Sequence, residues 1–124
     1  MNERVVLKVL LVDDEVLIRL MVSDMLEDLG HVVVAEAGEL DQSLILARSA
    51  DFDFAILDVN LNGARIDPVA EAIGARRIPF ILATGYSSPS VATSYPQIPR
   101  LRKPYGVRDL ESAIDQVRAA TAAK

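Results

Sequence analysis

Short apolar runs alternate with amphipathic stripes along the chain, and this pattern predicts strands interleaved with helices. Residues 5–12 form a nearly continuous run of leucine and β-branched residues that stops at Asp13 and Asp14. Such a run is typical of a strand buried on both faces of a parallel sheet. Shorter apolar runs predict four further strands, at residues 32–35, 54–57, 80–83 and 101–102.

Between the strands, apolar residues recur every three or four positions, which is the spacing of an amphipathic helix. The first such stripe ends at Gly30, the position of a helix C-cap, and consists of Ile18, Met21, Val22, Met25, Leu26 and Leu29. Weaker stripes predict helices from Leu40 to about Ser49 and from Val107 onward. Asp67 as a capping carboxylate and Pro68 in the first helical position predict another, running to about residue 76.

The segment from Tyr86 to Pro99 carries prolines at 89, 96 and 99, so it is expected to form at most a short or irregular helix. Five strands alternating with about five helices predict an α/β fold, a doubly wound five-stranded parallel sheet with helices on both faces. In such sheets ligands bind at the carboxyl ends of the strands. The polar residues predicted at those ends are Asp13, Asp14, Asp58, Thr84 and Lys103.

The charge of the chain argues against direct nucleic-acid binding, because the formal net charge is -5. Residues 1–61 hold 13 acidic and 4 basic side chains, whereas residues 62–124 hold 5 acidic and 9 basic ones. No apolar stretch is long enough for a membrane span, and no signal peptide is recognisable, so a cytoplasmic protein without membrane association is expected. The absence of cysteine fits that compartment.

Carboxylates gathered at one rim would repel one another unless a cation lay among them. Oxygen ligands favour a hard ion such as Mg2+, which leaves Asp58 able to act as a nucleophile toward phosphorus. Lys103 offers a compact positive charge for a phosphoryl group, and the Thr84 hydroxyl can donate to one of its oxygens. Taken singly, each residue has a plainer explanation as a cap, a turn or a solvated side chain. His31 is interpreted as a partly exposed strand residue without a role.

Over essentially its whole length, 1–124, the sequence resembles the receiver domain of two-component response regulators. The matching motifs are Leu11-Val12-Asp13-Asp14-Glu15, Leu57-Asp58-Val59-Asn60-Leu61, Ala83-Thr84-Gly85 and Lys103-Pro104-Tyr105. The resemblance implies a (βα)5 flavodoxin-like fold in a single domain without an output domain. It also implies a phosphorelay role, with a sensor histidine kinase or phosphotransfer protein as donor and a downstream protein as target.

Carried over by position, the resemblance makes Asp58 the phospho-acceptor and Asp14 a direct Mg2+ ligand, with Asp13 acting largely through water. The backbone carbonyl of Asn60 would complete the protein's share of the coordination. Thr84 would be the switch hydroxyl and Lys103 the phosphate-contacting lysine, joined to Pro104 by a cis peptide bond. The chain would not be an enzyme beyond autophosphorylation from small donors and autodephosphorylation.

Residues 79–86 also resemble the FAT GUY subgroup of single-domain receivers, with Leu82 in place of the signature phenylalanine. One position departs from ordinary receivers, which carry a switch Tyr or Phe three residues before the lysine. Arg100 stands there, and a guanidinium does not readily enter an apolar slot. Tyr86, or ordering of the segment that follows it, is hypothesised to carry the switch instead.

Two other functions are consistent with parts of this pattern. Haloacid-dehalogenase-like phosphatases also combine a nucleophilic aspartate, magnesium and a lysine. Their nucleophile stands in an Asp-x-Asp motif whose second carboxylate serves as general acid. In this chain Asn60 stands two residues after Asp58 and cannot serve as general acid. A pseudo-receiver would bind partners without being phosphorylated. A pure scaffold has no physical need for the acidic pair, acceptor, hydroxyl and lysine together.

Overall fold

The fold was analysed in a computed structural model that describes residues 5–85 and 98–122, with side chains described through Ala119. Strands β1 to β7 span Lys8–Val12, Val32–Ala37, Phe54–Asp58, Asn60–Leu61, Ala64–Arg65, Phe80–Thr84 and Arg100–Arg102. Helices α1 to α4, in the described ranges, span Val16–Asp28, Leu40–Ser49, Asp67–Ala75 and Val107–Ala122. The predicted alternation of strand and helix is therefore confirmed.

Five of the strands form one parallel sheet in the order β2-β1-β3-β6-β7. The strand order reverses between β1 and β3, because the chain moves outward to β2 before returning past β1. Side chains that leave the carboxyl ends of β1 and β3 consequently enter the crevice where doubly wound sheets bind ligands. The predicted α/β doubly wound fold is confirmed.

Strand β1 is shorter than its apolar run. It begins at Lys8, and Val5 and Val6, which were expected in the strand, are 62% and 58% exposed. The register explains the difference, since β2 begins opposite Lys8 and β3 begins opposite Val9. Val5 and Val6 therefore lie beyond the paired residues of the neighbouring strands, and their side chains have no sheet to pack against.

The sheet separates two apolar layers. On one face, Leu10, Val12, Ala55, Leu57 and Leu82 pack with buried residues of α2 and α3. On the other face, the alternate positions of the same strands pack against α1 and α4, and they are Val9, Leu11, Phe54, Ile56 and Ile81. Burial on both sides explains why these strands appear as continuous apolar runs in the sequence.

Helix α1 ends in a Schellman motif. Gly30 has φ 88, its N–H donates to the Glu27 carbonyl at 2.9 Å, and the His31 N–H donates to the Leu26 carbonyl at 2.8 Å. The predicted C-terminal glycine is therefore confirmed. The predicted apolar stripe is too wide, however, because Val22 and Leu26 are buried whereas Met21 is 56% exposed at the edge of the stripe.

Helix α3 begins at Asp67, with Pro68 in its first turn as expected. The expected capping role of Asp67 is wrong, because the N-cap residue is Ile66 and no side chain caps the helix. The Asp67 carboxylate instead accepts hydrogen bonds from the Arg65 guanidinium at 3.2 and 3.3 Å. This carboxylate lies in the first helical turn, where its negative charge still interacts favourably with the positive end of the helix dipole.

Arg76 links the end of α3 to the end of α2. Its guanidinium donates to the Ala47 carbonyl at 2.7 Å and to the Ala50 carbonyl at 2.9 Å, and it lies 5.1 Å from the centre of the Phe52 ring. The last carbonyls of a helix have no intrahelical donor, so the arginine supplies the missing hydrogen bonds. Arg76 is thus a structural arginine at the rim opposite the acidic residues.

His31 is 5% exposed, so the expectation of a partly exposed residue is wrong. Its Nδ1 accepts a hydrogen bond from the Leu7 N–H at 3.1 Å, and this contact fixes the ring beside the start of β1. Within the described ranges, none of the helices combines the length and apolar character required to traverse a bilayer. The hypothesised role of Tyr86 and most of the segment predicted to be irregular lie outside the described residues.

Candidate functional site

Three carboxylates meet at the point where strand order reverses. Asp13 and Asp14 follow β1, Asp58 ends β3, and one carboxylate oxygen from each lies within 4.8 Å of the others. Asp13 is 3% exposed and Asp58 6% exposed, whereas Asp14 lies nearer the solvent. The parallel pairing of β1 with β3 produces this cluster, because it aligns the carboxyl ends of the two strands.

Lys103 brings a positive charge into the same pocket from the loop after β7. Its Nζ lies 2.9 Å from Asp13 Oδ2 and 3.0 Å from Asp58 Oδ2, and 4.0 Å from Glu15 Oε1. The backbone holds this lysine at the rim, since its N–H donates to the Thr84 carbonyl at 2.8 Å. The peptide bond between Lys103 and Pro104 is cis, as the resemblance implies.

The residues after Asp58 form a hairpin where the sequence was interpreted as a loop. Strands β4 and β5 pair antiparallel around Asn62 and Gly63, whose φ values are 51 and 89. Positive φ at both positions is the geometry of a tight two-residue hairpin turn, which asparagine followed by glycine adopts at little cost. The Asn62 N–H donates to Asp14 Oδ2 at 2.9 Å, so the hairpin also orients the outermost carboxylate.

The other predicted site residues differ in how they are placed relative to this cluster. Thr84 ends β6, next to Ala83, which is the register partner of Asp58. The Asn60 N–H donates to Asp58 Oδ1 at 3.3 Å, while the Asn60 side chain accepts from the Gly63 N–H at 2.7 Å. Arg100 begins β7 with an exposed side chain and is not part of the acidic pocket.

Burial raises the pKa of Asp58 to about 6, and the charge of Asp13 adds to this rise. The hydrogen bond from Lys103 acts in the opposite direction but does not cancel the effect of burial. For Lys103, burial alone lowers the pKa, yet the hydrogen bonds and charges of Asp13 and Asp58 outweigh it and raise the pKa above its ordinary value. Asp58 is consequently a weaker acid than an ordinary aspartate.

This raised pKa predicts how stability depends on pH when no divalent ion is present. Folding raises the pKa of Asp58 from its ordinary value of 3.8 to about 6, so the folded state binds more protons between those values. Ionising Asp58 in the fold therefore costs on the order of 2–3 kcal/mol, a penalty that develops as pH rises from about 4 to about 6. Below pH 4 the carboxyl is protonated in both states and the penalty vanishes.

Urea denaturation in a chelator measures this effect when the wild type is compared with Asp58→Asn, whose amide cannot ionise. The unfolding free energy of the variant, relative to that of the wild type, should increase by about 2–3 kcal/mol between pH 4 and pH 7. A difference that stays constant over this range would contradict the proposed ionisation penalty.

The donor set fits a hard divalent cation. All three side chains offer oxygen atoms, and Mg2+ is commonly held by one or two carboxylates together with waters and phosphate oxygens. Lys103 balances part of the negative charge through its close contacts with Asp13 and Asp58, and Asp14 is more exposed to solvent than either of them. Asp13, Asp14 and Asp58 could therefore hold one cation, with the Asn60 carbonyl in the adjoining loop as a further candidate ligand.

Two residues that organise this pocket were missed from the sequence. Asn62 contacts Asp14 through its backbone, and the Asn62-Gly63 pair was a recognisable hairpin motif that we interpreted only as a loop. Arg19 donates to the Asp13 carbonyl from α1, but a single arginine among apolar helical positions carries no sequence motif. The contact of Arg19 with Asp13 can be recognised only from the tertiary structure.

Sequence comparison relates this chain to known receiver proteins. The family model described as the response regulator receiver domain matches residues 9–115. The transcriptional regulatory protein PdtaR of Mycobacterium tuberculosis is 31% identical over 112 residues, which are 87% of this chain and 55% of PdtaR. The chain thus spans about half the length of this curated relative.

Among solved structures, SdrG from Sphingomonas melonis Fr1 superimposes with a TM-score of 0.83 at 38% identity. The match covers 91% of this chain and 97% of that one. The BeF3-activated conformation of SdrG, from Pseudomonas melonis Fr1, gives a TM-score of 0.75 at 39% identity and covers 89% of this chain and 94% of that chain. Both the sequence and the backbone are therefore similar to those of receiver domains.

Proposed function

Because this chain belongs to the response regulator receiver domain family of two-component signalling, we propose that it is a switch controlled by phosphorylation of Asp58. The donor would be a sensor histidine kinase or a phosphotransfer protein, and the product an aspartyl phosphate. The observation that carries the proposal is the Asp58 carboxylate, buried at the end of β3 within 4.8 Å of two further carboxylates and 3.0 Å from the Lys103 ammonium.

The transfer requires Asp58 to act as an ionised nucleophile. One of its carboxylate oxygens forms a bond to phosphorus while the bond from phosphorus to the donor nitrogen breaks, and that nitrogen retains the electron pair. The raised pKa of Asp58, about 6 without a metal, still leaves the group mostly ionised near neutral pH. No neighbouring base is needed, because the nucleophile carries no proton to remove.

The other residues of the pocket position and neutralise the phosphoryl group. Lys103 would exchange its contact with Asp58 for one with a phosphoryl oxygen, and Thr84 would donate its hydroxyl to another. Asp13 and Asp14 would hold Mg2+ together with Asp58 and the Asn60 carbonyl, Asp13 largely through water. When bound, the ion supplies positive charge against the oxygens of the phosphoryl group.

Signalling would follow from a change in surface charge and packing. Phosphorylation adds a charge of about -1.5 to -2 at the rim and biases a two-state protein-binding surface. That surface would act on a downstream protein in the cytoplasm, without direct contact with nucleic acid or membrane. SdrG is described in a BeF3-activated conformation, which supports the idea that this backbone can respond to a phosphoryl-like group.

We propose that the chain is a single receiver domain over 1–124, similar to the FAT GUY subgroup. We also propose that its switch does not use the side chain of Arg100, which stands where ordinary receivers carry the switch Tyr or Phe. Arg100 is exposed in β7, and burying its guanidinium would carry a desolvation cost. Beryllofluoride should therefore shift the backbone NMR resonances around Thr84 and Tyr86 more than those of Arg100. Unchanged resonances at Thr84 and Tyr86 on activation would refute this switch.

Catalysis by the chain itself would be limited to autophosphorylation from small donors and autodephosphorylation. A phosphatase acting on external esters is disfavoured, because the Asn60 side chain accepts a hydrogen bond from the Gly63 N–H where such enzymes need a general acid. Release of phosphate from a small phosphomonoester above the background rate would revive that alternative.

Acetyl phosphate provides the first test of the proposed function. Incubation of the wild type with acetyl phosphate and Mg2+ should add the mass of one phosphoryl group, and a chelator should abolish the addition. A protein whose mass stays unchanged with the ion present would instead favour a pseudo-receiver that binds partners without being phosphorylated.

A further inference from the structure

Arg19 lies in α1 with its side chain turned toward the end of β1. Its Nε donates to Glu36 Oε1 at 3.0 Å, and its Nη1 donates to the backbone carbonyl of Asp13. The side chain is 18% exposed, although α1 presents much of its surface to solvent. This arginine therefore bridges the end of β1 to β2 from within the helix layer.

The loop after β2 is shaped to admit this guanidinium. A Cβ atom at Gly38 would lie 2.7 Å from Arg19 Nη1 and 3.4 Å from the Asp13 carbonyl oxygen. The first distance is below any contact that a real Cβ makes, so a side chain at residue 38 would displace the guanidinium from its acceptor. Gly38 is explained by this close approach and not by an unusual backbone angle.

The acceptor of the Arg19 hydrogen bond belongs to the peptide group between Asp13 and Asp14. Asp13 is also held by other contacts: its N–H donates to the Ala37 carbonyl at 3.1 Å, and its Oδ2 pairs with Lys103 Nζ at 2.9 Å. Its second carboxylate oxygen accepts the Glu15 N–H at 2.9 Å. Arg19 completes this set by fixing the carbonyl, and so fixes the direction in which the chain continues into Asp14.

Arg19 differs from Lys103 in what its charge contacts. Lys103 lies directly on two carboxylates of the pocket, whereas Arg19 donates to an uncharged carbonyl and is itself paired with Glu36. The guanidinium therefore orients the pocket without neutralising it. Glu36 is 46% exposed in its side chain and holds the plane of the guanidinium toward the carbonyl.

We propose that Arg19 is a positioning residue for the divalent-cation site, acting through the peptide group that joins Asp13 to Asp14. With that group fixed, the two carboxylates present their oxygens toward one point. Without the hydrogen bond from Arg19, this peptide group can rotate. The two carboxylates must then be ordered when Mg2+ binds, which makes the free energy of binding less favourable. The inference rests on the proposed function, because it assumes that the acidic pocket binds Mg2+.

Calorimetric titration of Mg2+ into wild type, Arg19→Met and Arg19→Lys, well below the unfolding temperature, tests the proposal. Loss of a residue that orients metal ligands weakens metal affinity by roughly 10- to 100-fold, so Arg19→Met should bind Mg2+ at least about 10-fold more weakly. Arg19→Lys keeps one donor and the charge, and should recover part of the loss.

Arg76→Met is the matched control. The Arg76 guanidinium likewise donates to the backbone, in its case to two carbonyls at the opposite rim of the sheet, so its loss should lower the unfolding temperature and leave Mg2+ affinity unchanged. Gly38→Ala retains Arg19 and displaces its guanidinium, so it should weaken Mg2+ binding even if Arg19→Met does not fold.

The outcomes separate this inference from the proposed function. A wild type that binds no Mg2+ would overturn the function and the inference together. A wild type that binds, combined with folded Arg19→Met and Gly38→Ala proteins of unchanged affinity, would overturn the inference alone. Equal weakening by Arg19→Met and Arg76→Met would also overturn it, since a general loss of stability would then explain both.

Discussion

Asp58→Asn should abolish phosphoryl incorporation from acetyl phosphate, leaving a folded protein whose intact mass does not change. The amide nitrogen and neutral oxygen that replace the carboxylate cannot form an acyl phosphate under these conditions. The neighbouring Asp13 and Asp14 are not expected to substitute, because in the proposed mechanism they hold Mg2+ and do not attack phosphorus.

Asp53→Asn is the matched control for this variant. Asp53 precedes the same strand, β3, at its opposite end, where its carboxylate accepts the Lys8 N–H at 2.7 Å. The same chemical change there should leave phosphoryl incorporation at the wild-type rate. Persistent incorporation in Asp58→Asn would show that another residue is the acceptor.

Lys103→Met should change two properties of the pocket in opposite directions. Phosphoryl incorporation should fall by about 100-fold or more, since a preorganised donor to the transferred group is lost. Mg2+ affinity measured without a phosphoryl donor should rise, because the lysine no longer neutralises Asp13 and Asp58, its partners at 2.9 and 3.0 Å. The two measurements together distinguish a phosphate-binding lysine from one that merely stabilises the fold.

Lys8→Met serves as the control for the lysine substitution. Lys8 begins β1 at the opposite rim and pairs with the exposed Asp51 at 2.6 Å, so its removal should affect neither incorporation nor Mg2+ affinity. If Lys103→Met incorporates phosphoryl groups as fast as the wild type, the lysine has no part in the transfer. A fall in both incorporation and Mg2+ affinity would indicate collapse of the pocket.

The sheet could be predicted from the sequence because strands buried on both faces need continuous apolar runs. The run ending at Val12 and the run ending at Leu57 marked two adjacent inner strands, β1 and β3, and the carboxylates after these runs followed directly. The convergence of Asp13, Asp14 and Asp58 was a consequence of parallel pairing, which places those strand ends together.

Strand length and helix capping were harder to predict from the sequence, because they depend on contacts with residues that are distant in sequence. Val5 and Val6 have strand-like side chains but lie beyond the paired region of β1. Asp67 has the side chain of a capping residue, yet Arg65 engages its carboxylate and the helix begins one residue earlier than a cap would allow. Both errors arise where tertiary contacts override local preference.

The contacts that orient the acidic side chains could not be predicted from composition or spacing. Arg19 reaches the Asp13 carbonyl only because α1 packs beside the end of β2 and Gly38 leaves space. The same holds for the backbone contact from Asn62 to Asp14, which joins residues 48 positions apart. Chemistry-bearing side chains are visible in a sequence, whereas the backbone contacts that orient them belong to the fold.

The central claim is that Asp58 is the residue that becomes covalently phosphorylated, and its most direct test is to locate the modification. Borohydride reduces an aspartyl phosphate to homoserine, which tandem mass spectrometry can assign to one position after treatment with acetyl phosphate and Mg2+. Conversion of residue 58 alone is the predicted result. Conversion at Asp13 or Asp14, or no conversion at any aspartate, would contradict it.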